Sequence, residues 1–314
     1  MENILKLHQL YVDSVLPTLL PGCGRHIVTT VKFRDTKLSL ELGPEAFKGT
    51  RYDTKSKKFV HFTSLKALQS ILNESSIRLY CLNNSNDPNE FKYFIKGKES
   101  ILFENDQIKE NTFTFSMCDE KVLRGNNALN LWRLYGDGGR GVAIIFEINL
   151  PENDFDKSYL GRVLYTKPDL DAFLQKNREF ETENKIKVDY SDIIHVPACY
   201  HKNSHYKIEE EIRLMHYYYK GEMFAKYRGG NDKYLKDFNS RNEIVTYSKL
   251  NIGKLNKNYP SIYIKEIQIG FRHEEGSFLK IKKHFKLLMA SMIKSSSWDV
   301  DEMPKISHSN LLEI

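Results

Sequence analysis

Leu131-Trp132-Arg133-Leu134-Tyr135-Gly136-Asp137-Gly138-Gly139-Arg140-Gly141 runs straight into Val142-Ala143-Ile144-Ile145-Phe146-Glu147-Ile148. The second half is an apolar run of strand length, which predicts a strand buried on both faces. The first half ends a helix predicted over Ala128–Tyr135, broken by four glycines that permit close backbone approach. No GxGxxG follows a strand and no GxxxxGK[ST] occurs, so neither a dinucleotide-binding βαβ unit nor a P-loop is expected.

Working outward, Phe59–Phe62, Ile77–Leu82, Thr112–Met117 and Ser261–Gly270 read as strands, and Glu209–Tyr219 as a strand or the end of one. Thr63 or Ser64 caps a helix with Leu65, Leu68, Ile71 and Leu72 on one face. Leu170–Asn184 is a charged helix. Gly276–Ile293 is an amphipathic helix carrying Phe278, Ile281, Phe285, Leu288, Met289 and Met292. Non-sequential strands, short helices and irregular connections predict an α+β fold with a central mixed or split β-sheet and flanking helices. Residues 1–58 read as an extension: a helix over Ile4–Val15 stopped by Pro17 and Pro21, then a hairpin from His26–Phe33 and Lys37–Leu42 around Arg34-Asp35-Thr36. Residues 59–295 are expected to form the main α+β domain, and 296–314 a polar tail.

The 314 residues are 40% hydrophobic and 28% charged, with 18 Tyr and 18 Phe. That composition supports a sizeable core and excludes wholesale disorder. No stretch approaches the roughly 20 apolar residues of a spanning helix, and no membrane partner is expected. The N-terminus lacks the pattern of a signal peptide. Cys23, Cys81, Cys118 and Cys199 are scattered with no CxxC pair. They fit a reducing cytoplasm and give no zinc or thioredoxin motif. The net charge of +6 is uneven. His201–Asn258 holds 12 Lys/Arg against 7 Asp/Glu, and Lys265–Lys294 holds 7 against 3. A basic second half points to a phosphate-bearing partner, nucleic acid or dinucleotide, with a solvated surface as the plain reading.

Four segments place polar residues where an element should end. His61-Phe62-Thr63-Ser64 joins a strand to a helix start with free N–H groups, either for a ribose or simply as a cap. Asn83 through Glu90 is an Asx-rich turn. Asp87 and Glu90, with Lys92, also match the Asp…Glu-x-Lys spacing of metal-dependent nucleases. Trp132 and Tyr135, one turn apart beside the glycine loop and Arg140, can stack a base and pair a phosphate, or pack as core. In Glu209-Glu210-Glu211-Ile212-Arg213, an extended chain puts Glu209, Glu211 and Arg213 on one face. That is either an ion-pair cluster or a carboxylate positioned against developing positive charge.

HFTSLKALQSIL, IRLYCLNNSNDPNE, FTFSM, LWRLYGDGGRGVAIIFEI, EEEIRLM and IKEIQIG occur in this order. Together they resemble the bacterial family catalogued as domain of unknown function 2971, over about residues 59–293. A second similarity is to the ADP-ribosyltransferase layout, closest to DarT-type enzymes that modify nucleic-acid bases. That resemblance implies an ADP-ribosyltransferase-like fold, NAD as co-substrate and no metal. It implies Glu211 as catalytic carboxylate with Glu209 as rival, His61 and Thr63 on the NAD ribose, Ser116 with Trp132 or Tyr135 at the nicotinamide, and Arg140 or Arg213 on the pyrophosphate. It further implies a nucleic-acid or other macromolecular target, a role in phage defence or as a toxin, and a regulatory protein partner. Two other readings stand beside it: a metal-dependent nuclease using Asp87, Glu90 and Lys92, and a non-enzymatic sensor built on the Trp132/Tyr135 pocket.

Overall fold

The structure is a computed structural model; it describes residues 2–24, 28–34, 36–43, 45–85, 87, 90, 92–95, 109–150, 158–166, 169–217, 235–239, 242–253, 260–294, 303–309 and 311. His26 and Asp35 of the expected hairpin lie outside these residues.

The quoted run forms strand β6 (Val142–Asn149), with every residue from Val142 to Phe146 buried. It is central because both edges are paired. Strand β3 (Lys58–Thr63) lies antiparallel on one side and β12 (Ser261–Ile269) on the other. Beyond β12, β13 (Lys305–His308) adds in parallel, so the sheet is mixed. That strand falls within the stretch expected to be a polar tail.

On the other side of β3 comes β5 (Thr112–Asp119), and there the sheet forks. One edge of β5 pairs along its length with β9 (Glu211–Tyr217), which carries β7 (Ser158–Arg162) beyond it. The opposite edge is shared. Strand β4 (Ser76–Cys81) takes Phe113 and Thr114, and β3 takes Cys118 and Asp119. Ser116 lies in the gap between them. Outside β4 come β11 (Ile244–Asn251) and β10 (Leu235–Phe238), completing a 10-stranded sheet. The α+β class with a large mixed sheet is therefore observed.

Alternation along the strands builds two faces. One carries Phe59, Phe113, Phe115, Met117, Ile144, Phe146, Ile212 and Leu214. It is covered by helix α3 (Leu65–Glu74) through Leu68 and Leu72, and by α8 (Glu275–Lys294) through Phe285, Met289 and Met292. Each fully buried side chain of this size contributes about 1.5–3 kcal/mol. Helix α3 starts where expected, because the Ser64 hydroxyl accepts from the Ala67 amide at 3.1 Å. It stops at Ser75 in the left-handed region, φ 48°. The other face holds a smaller apolar cluster of Val60, Phe62, Ala143 and Ile145 against Leu131 and Trp132 of α5 (Ala128–Leu134).

A third core forms around the N-terminal segment. Helices α1 (Glu2–Ser14) and α2 (Leu16–Leu19) pack with α6 (Leu170–Asn184) and α7 (Ser191–Ala198), and with Tyr159 and Met215 of the main sheet. The expected hairpin is β1 (Val28–Arg34) against β2 (Lys37–Leu42), and β8 (Lys187–Asp189) adds to β2 in parallel. Residues 1–58 thus share a core with 159–200. A short helix α4 (Lys92–Ile95) contributes Phe94 and Ile95 to it.

Candidate functional site

Between the second and third cores, the polar face of β5 and β9 carries a closed cluster of charges. The strand register sets Ser116 opposite Arg213 and Cys118 opposite Glu211. The Ser116 hydroxyl donates to Glu211 Oε1 at 2.5 Å. Arg213 donates to the same oxygen from Nε at 3.0 Å and Nη2 at 2.9 Å. Lys202 Nζ lies 2.7 Å from Glu211 Oε2 and donates to Glu209 Oε2 at 2.9 Å. Glu209 Oε1 accepts from the Tyr135 hydroxyl. Arg213 also pairs with Glu90 and donates to the Cys199 carbonyl, while the Ser85 hydroxyl donates to Glu90.

Three carboxylates and two cations are therefore held together, a formal −1. Glu90, Glu211, Arg213, Lys202 and Glu209 are all buried. Such a cluster is tolerable only because each charge faces an opposite one. Glu211 Oε2 and Glu90 Oε1 lie at ion-pair distance from Lys202 and Arg213 yet lack an aligned hydrogen bond. The attraction there is Coulombic, and distance matters more than alignment.

Burial works to raise the Glu211 pKa, but Arg213, Lys202 and the Ser116 hydroxyl outweigh it and bring it down to about 2. Glu211 is ionised at any ordinary pH. Burial alone would lower Lys202, but Glu211 and Glu90 hold it above its usual value, so it stays charged. Burial and then the bond to Glu209 push the Tyr135 hydroxyl up, keeping it a donor.

The chain of contacts ends in two hydroxyls near solvent. Ser116 is exposed and Tyr135 is 40% exposed, whereas Glu211 behind Ser116 is 3% exposed. His61 approaches Ser116 from the opposite face. Its ring packs on Phe115 at 4.6 Å, and its Nδ1 donates to the Ser116 carbonyl at 2.9 Å. The ring stands in for a ladder hydrogen bond where β3 and β4 part. Burial lowers the His61 pKa against the opposing pull of that carbonyl, favouring the neutral ring.

Of the residues expected at the site, the structure brings Ser116, Tyr135, Glu209, Glu211 and Arg213 into one cluster and places His61 against the Ser116 backbone. Glu90, expected in a different role, joins them. Trp132 does not. It is 1% exposed and packs edge-on against Phe62 and Phe271. Glu209 is not in the strand: it ends a 3-10 turn over Ser204–Glu209, Glu210 takes φ 46°, and β9 starts at Glu211. Thr63 is half-buried at the end of β3, and Arg140 is exposed on the glycine loop. The glycines serve close packing of the chain on itself. A Cβ at Gly136 would strike the Trp132 ring, one at Gly139 the Phe271 ring, and one at Gly141 the Thr63 carbonyl. Asp87 is buried in the turn where the Glu90 amide donates to its carbonyl at 3.0 Å. Lys92 begins α4, and its side chain lies outside the described residues. No group of three or more His, Cys, Asp or Glu arranged to hold a metal ion occurs among the described residues. Likewise, no helix among them is long and apolar enough to cross a membrane.

Lys202 is the functional candidate that sequence reasoning missed. It lies in a connection after α7, with no periodicity or motif to mark it. The only available signal was a lysine seven residues before an acidic run, with Lys207 nearer to it.

Fold and cluster together define an α+β protein with a forked mixed sheet and a buried ionic network opening at two hydroxyls. Residues 131–214 match the family described as Protein of unknown function (DUF2971), which bears out the first resemblance over that segment. The segment runs from α5 to Leu214 and contains Tyr135, Lys202, Glu209, Glu211 and Arg213. No curated protein and no solved structure matches the chain.

Proposed function

We propose that the chain is an NAD-consuming enzyme of ADP-ribosyltransferase type that passes ADP-ribose to a nucleic acid. The observation that carries this reading is the ionised Glu211 carboxylate standing behind the exposed Ser116 hydroxyl, at the fork of the sheet where His61 fixes the Ser116 backbone. NAD, when bound, supplies a ribose–nicotinamide bond whose electron pair leaves with the nicotinamide, so that positive charge develops at the ribose carbon.

Glu211 fits the electrostatic part of that chemistry. A fixed negative charge in a water-poor site stabilises developing positive charge without reorganisation. A carboxylate protonated only near pH 2 is a poor general base at neutral pH, so the proton of the incoming nucleophile passes to solvent. Lys202 and Arg213 hold the carboxylate in place, and the cluster keeps its net negative charge. Tyr135 is the aromatic that lines the nicotinamide side, since Trp132 is enclosed in apolar core. Arg213 uses its donors on Glu211, Glu90 and Cys199, so exposed Arg140 is the guanidinium left for phosphate.

The test is nicotinamide release from NAD by the full chain, with and without single-stranded DNA and RNA, for wild type and Glu211→Gln. Release stimulated by nucleic acid and reduced about a hundredfold or more in the variant is expected. Full turnover by Glu211→Gln, or no release by wild type under any condition, overturns the reading. In the second case, Mg²⁺-dependent strand cleavage abolished by Asp87→Ala would establish the nuclease instead.

A further inference from the structure

Several lysines on this protein's surface are held by a carboxylate. Lys37 meets Asp189, Lys48 Glu45, Lys176 Glu179, Lys249 Glu74 and Lys265 Glu147. Helix α8 concentrates lysines that meet none among the described residues. From Lys280 to Lys294 the chain has five lysines and no Asp or Glu. Lys280, Lys283 and Lys286 are exposed, and none meets a carboxylate among the described residues. The opposite side of the helix is committed to the core through Phe285, Met289 and Met292.

We infer that this face of α8 is a docking surface for the phosphodiester backbone of a nucleic acid. Residues three apart rise about 4.5 Å along a helix and turn back by about 60°, so the three ammonium groups wind across the exposed surface. They form a curved track of positive charge, with no groove for a partner helix. A partner helix would need apolar anchors in an aligned stripe at i, i+4 and i+7. The exposed apolar residues here are Leu279 and Leu287, eight positions apart with Lys283 midway. An anionic membrane surface would call for a broad apolar face, and the apolar face of α8 is already buried in the sheet. Unpaired, flexible, strongly hydrated ammonium groups suit sequence-independent phosphate contacts, which position a strand without reading its bases.

The surface names the means by which the reading of the preceding subsection would hold its acceptor, and it is tested without NAD, so failure of either leaves the other standing. Fluorescein-labelled 20-nucleotide single-stranded DNA and RNA are titrated by anisotropy at several salt concentrations. The variants are Lys280→Gln/Lys283→Gln/Lys286→Gln and, as a control on paired lysines, Lys48→Gln/Lys176→Gln/Lys249→Gln. For single strands the slope of log affinity against log salt falls by about 0.7 for each phosphate no longer neutralised. The α8 variant is expected to bind more weakly, with a slope shallower by about 2, while the control follows wild type. Equal slopes for wild type and the α8 variant overturn the proposal. So does wild-type binding to phosphatidylserine vesicles or polyglutamate but not to the oligonucleotides. Lys283→Gln alone, expected to change the slope by about 0.7, provides the same reading if the triple variant is poorly soluble.

Discussion

Strands β5 and β9 present opposite chemistries from one register. On one face, Phe113, Phe115 and Met117 meet Ile212 and Leu214 and vanish beneath α3 and α8. On the other, Ser116 and Cys118 lie beside Arg213 and Glu211. Both faces are largely closed to water, yet only the first is stabilised by being dry. A dry charge is costly, and the second face survives because its charges close on one another. The apolar face supplies net stability, while the charged face supplies a fixed geometry at the fork. Had either β3 or β4 alone run the full length of their shared edge of β5, there would be no need of His61 to satisfy the Ser116 carbonyl.

Two substitutions on neighbouring residues of β9 test this contrast, one per face. Arg213→Met removes the cation between Glu90 and Glu211, leaving three buried carboxylates, Glu90, Glu209 and Glu211, with Lys202 alone. The expected loss is about 4 kcal/mol, within the roughly 3–5 kcal/mol typical of a broken buried pair. It is read as a shift in the urea midpoint at constant slope. Adding Glu90→Gln removes one of the stranded charges and should restore part of the loss. A loss under about 1 kcal/mol would mean that water reaches the cluster. Leu214→Ala, on the opposite face, leaves a cavity and is expected to cost about 3 kcal/mol. It should respond to no second change at Glu90. Coupling between Leu214 and Glu90 would show that the two faces are not separate cores.

The apolar face was legible in the sequence and the charged face only in part, for physical reasons. Val142–Ile148 and Ser261–Gly270 announce themselves because buried strands need continuous or alternating apolar residues. Gly276–Ile293 does so because one helix face must match the sheet. Glu211 and Arg213 on one face also followed from the period of two. Glu90 meeting Arg213, and Lys202 meeting Glu209 and Glu211, did not, since those contacts join loops to a strand across distances that no local pattern encodes. Trp132 and Tyr135 show the limit from the other side. Three residues apart on α5 and its cap, they point to the apolar cluster and to Glu209 respectively, because the helix ends between them. The same holds for Lys305–His308: a short stretch with the single apolar Ile306 reads as tail until the free edge of β12 receives it and Ile306 joins the core.

Acid should part the two faces by a smaller and more gradual effect. Glu211 titrates near 2 in the folded chain against 4.5 for the free side chain. Its contribution is therefore fully present above pH 4.5 and is lost as pH falls from there toward 2. The slope is at most about 1.4 kcal/mol per pH unit for one group. His201 adds a loss of the same sign at higher pH. Burial holds it neutral down to about 3 against 6.5 when free, so it favours the fold above pH 6.5 and penalises it progressively below. Unfolding free energies of wild type and Glu211→Gln, measured between about pH 7 and pH 3, separate the two groups. The histidine limb is common to both proteins and cancels in their difference. The difference should be flat above about pH 5 and narrow only below about 4.5. A difference that instead shifts in favour of wild type as pH falls from about 7 to 5 would place the Glu211 carboxyl above its free value, in the range of an ordinary buried acid. It would then be a proton acceptor for the reaction and not the fixed charge that the Lys202–Arg213 clamp makes of it.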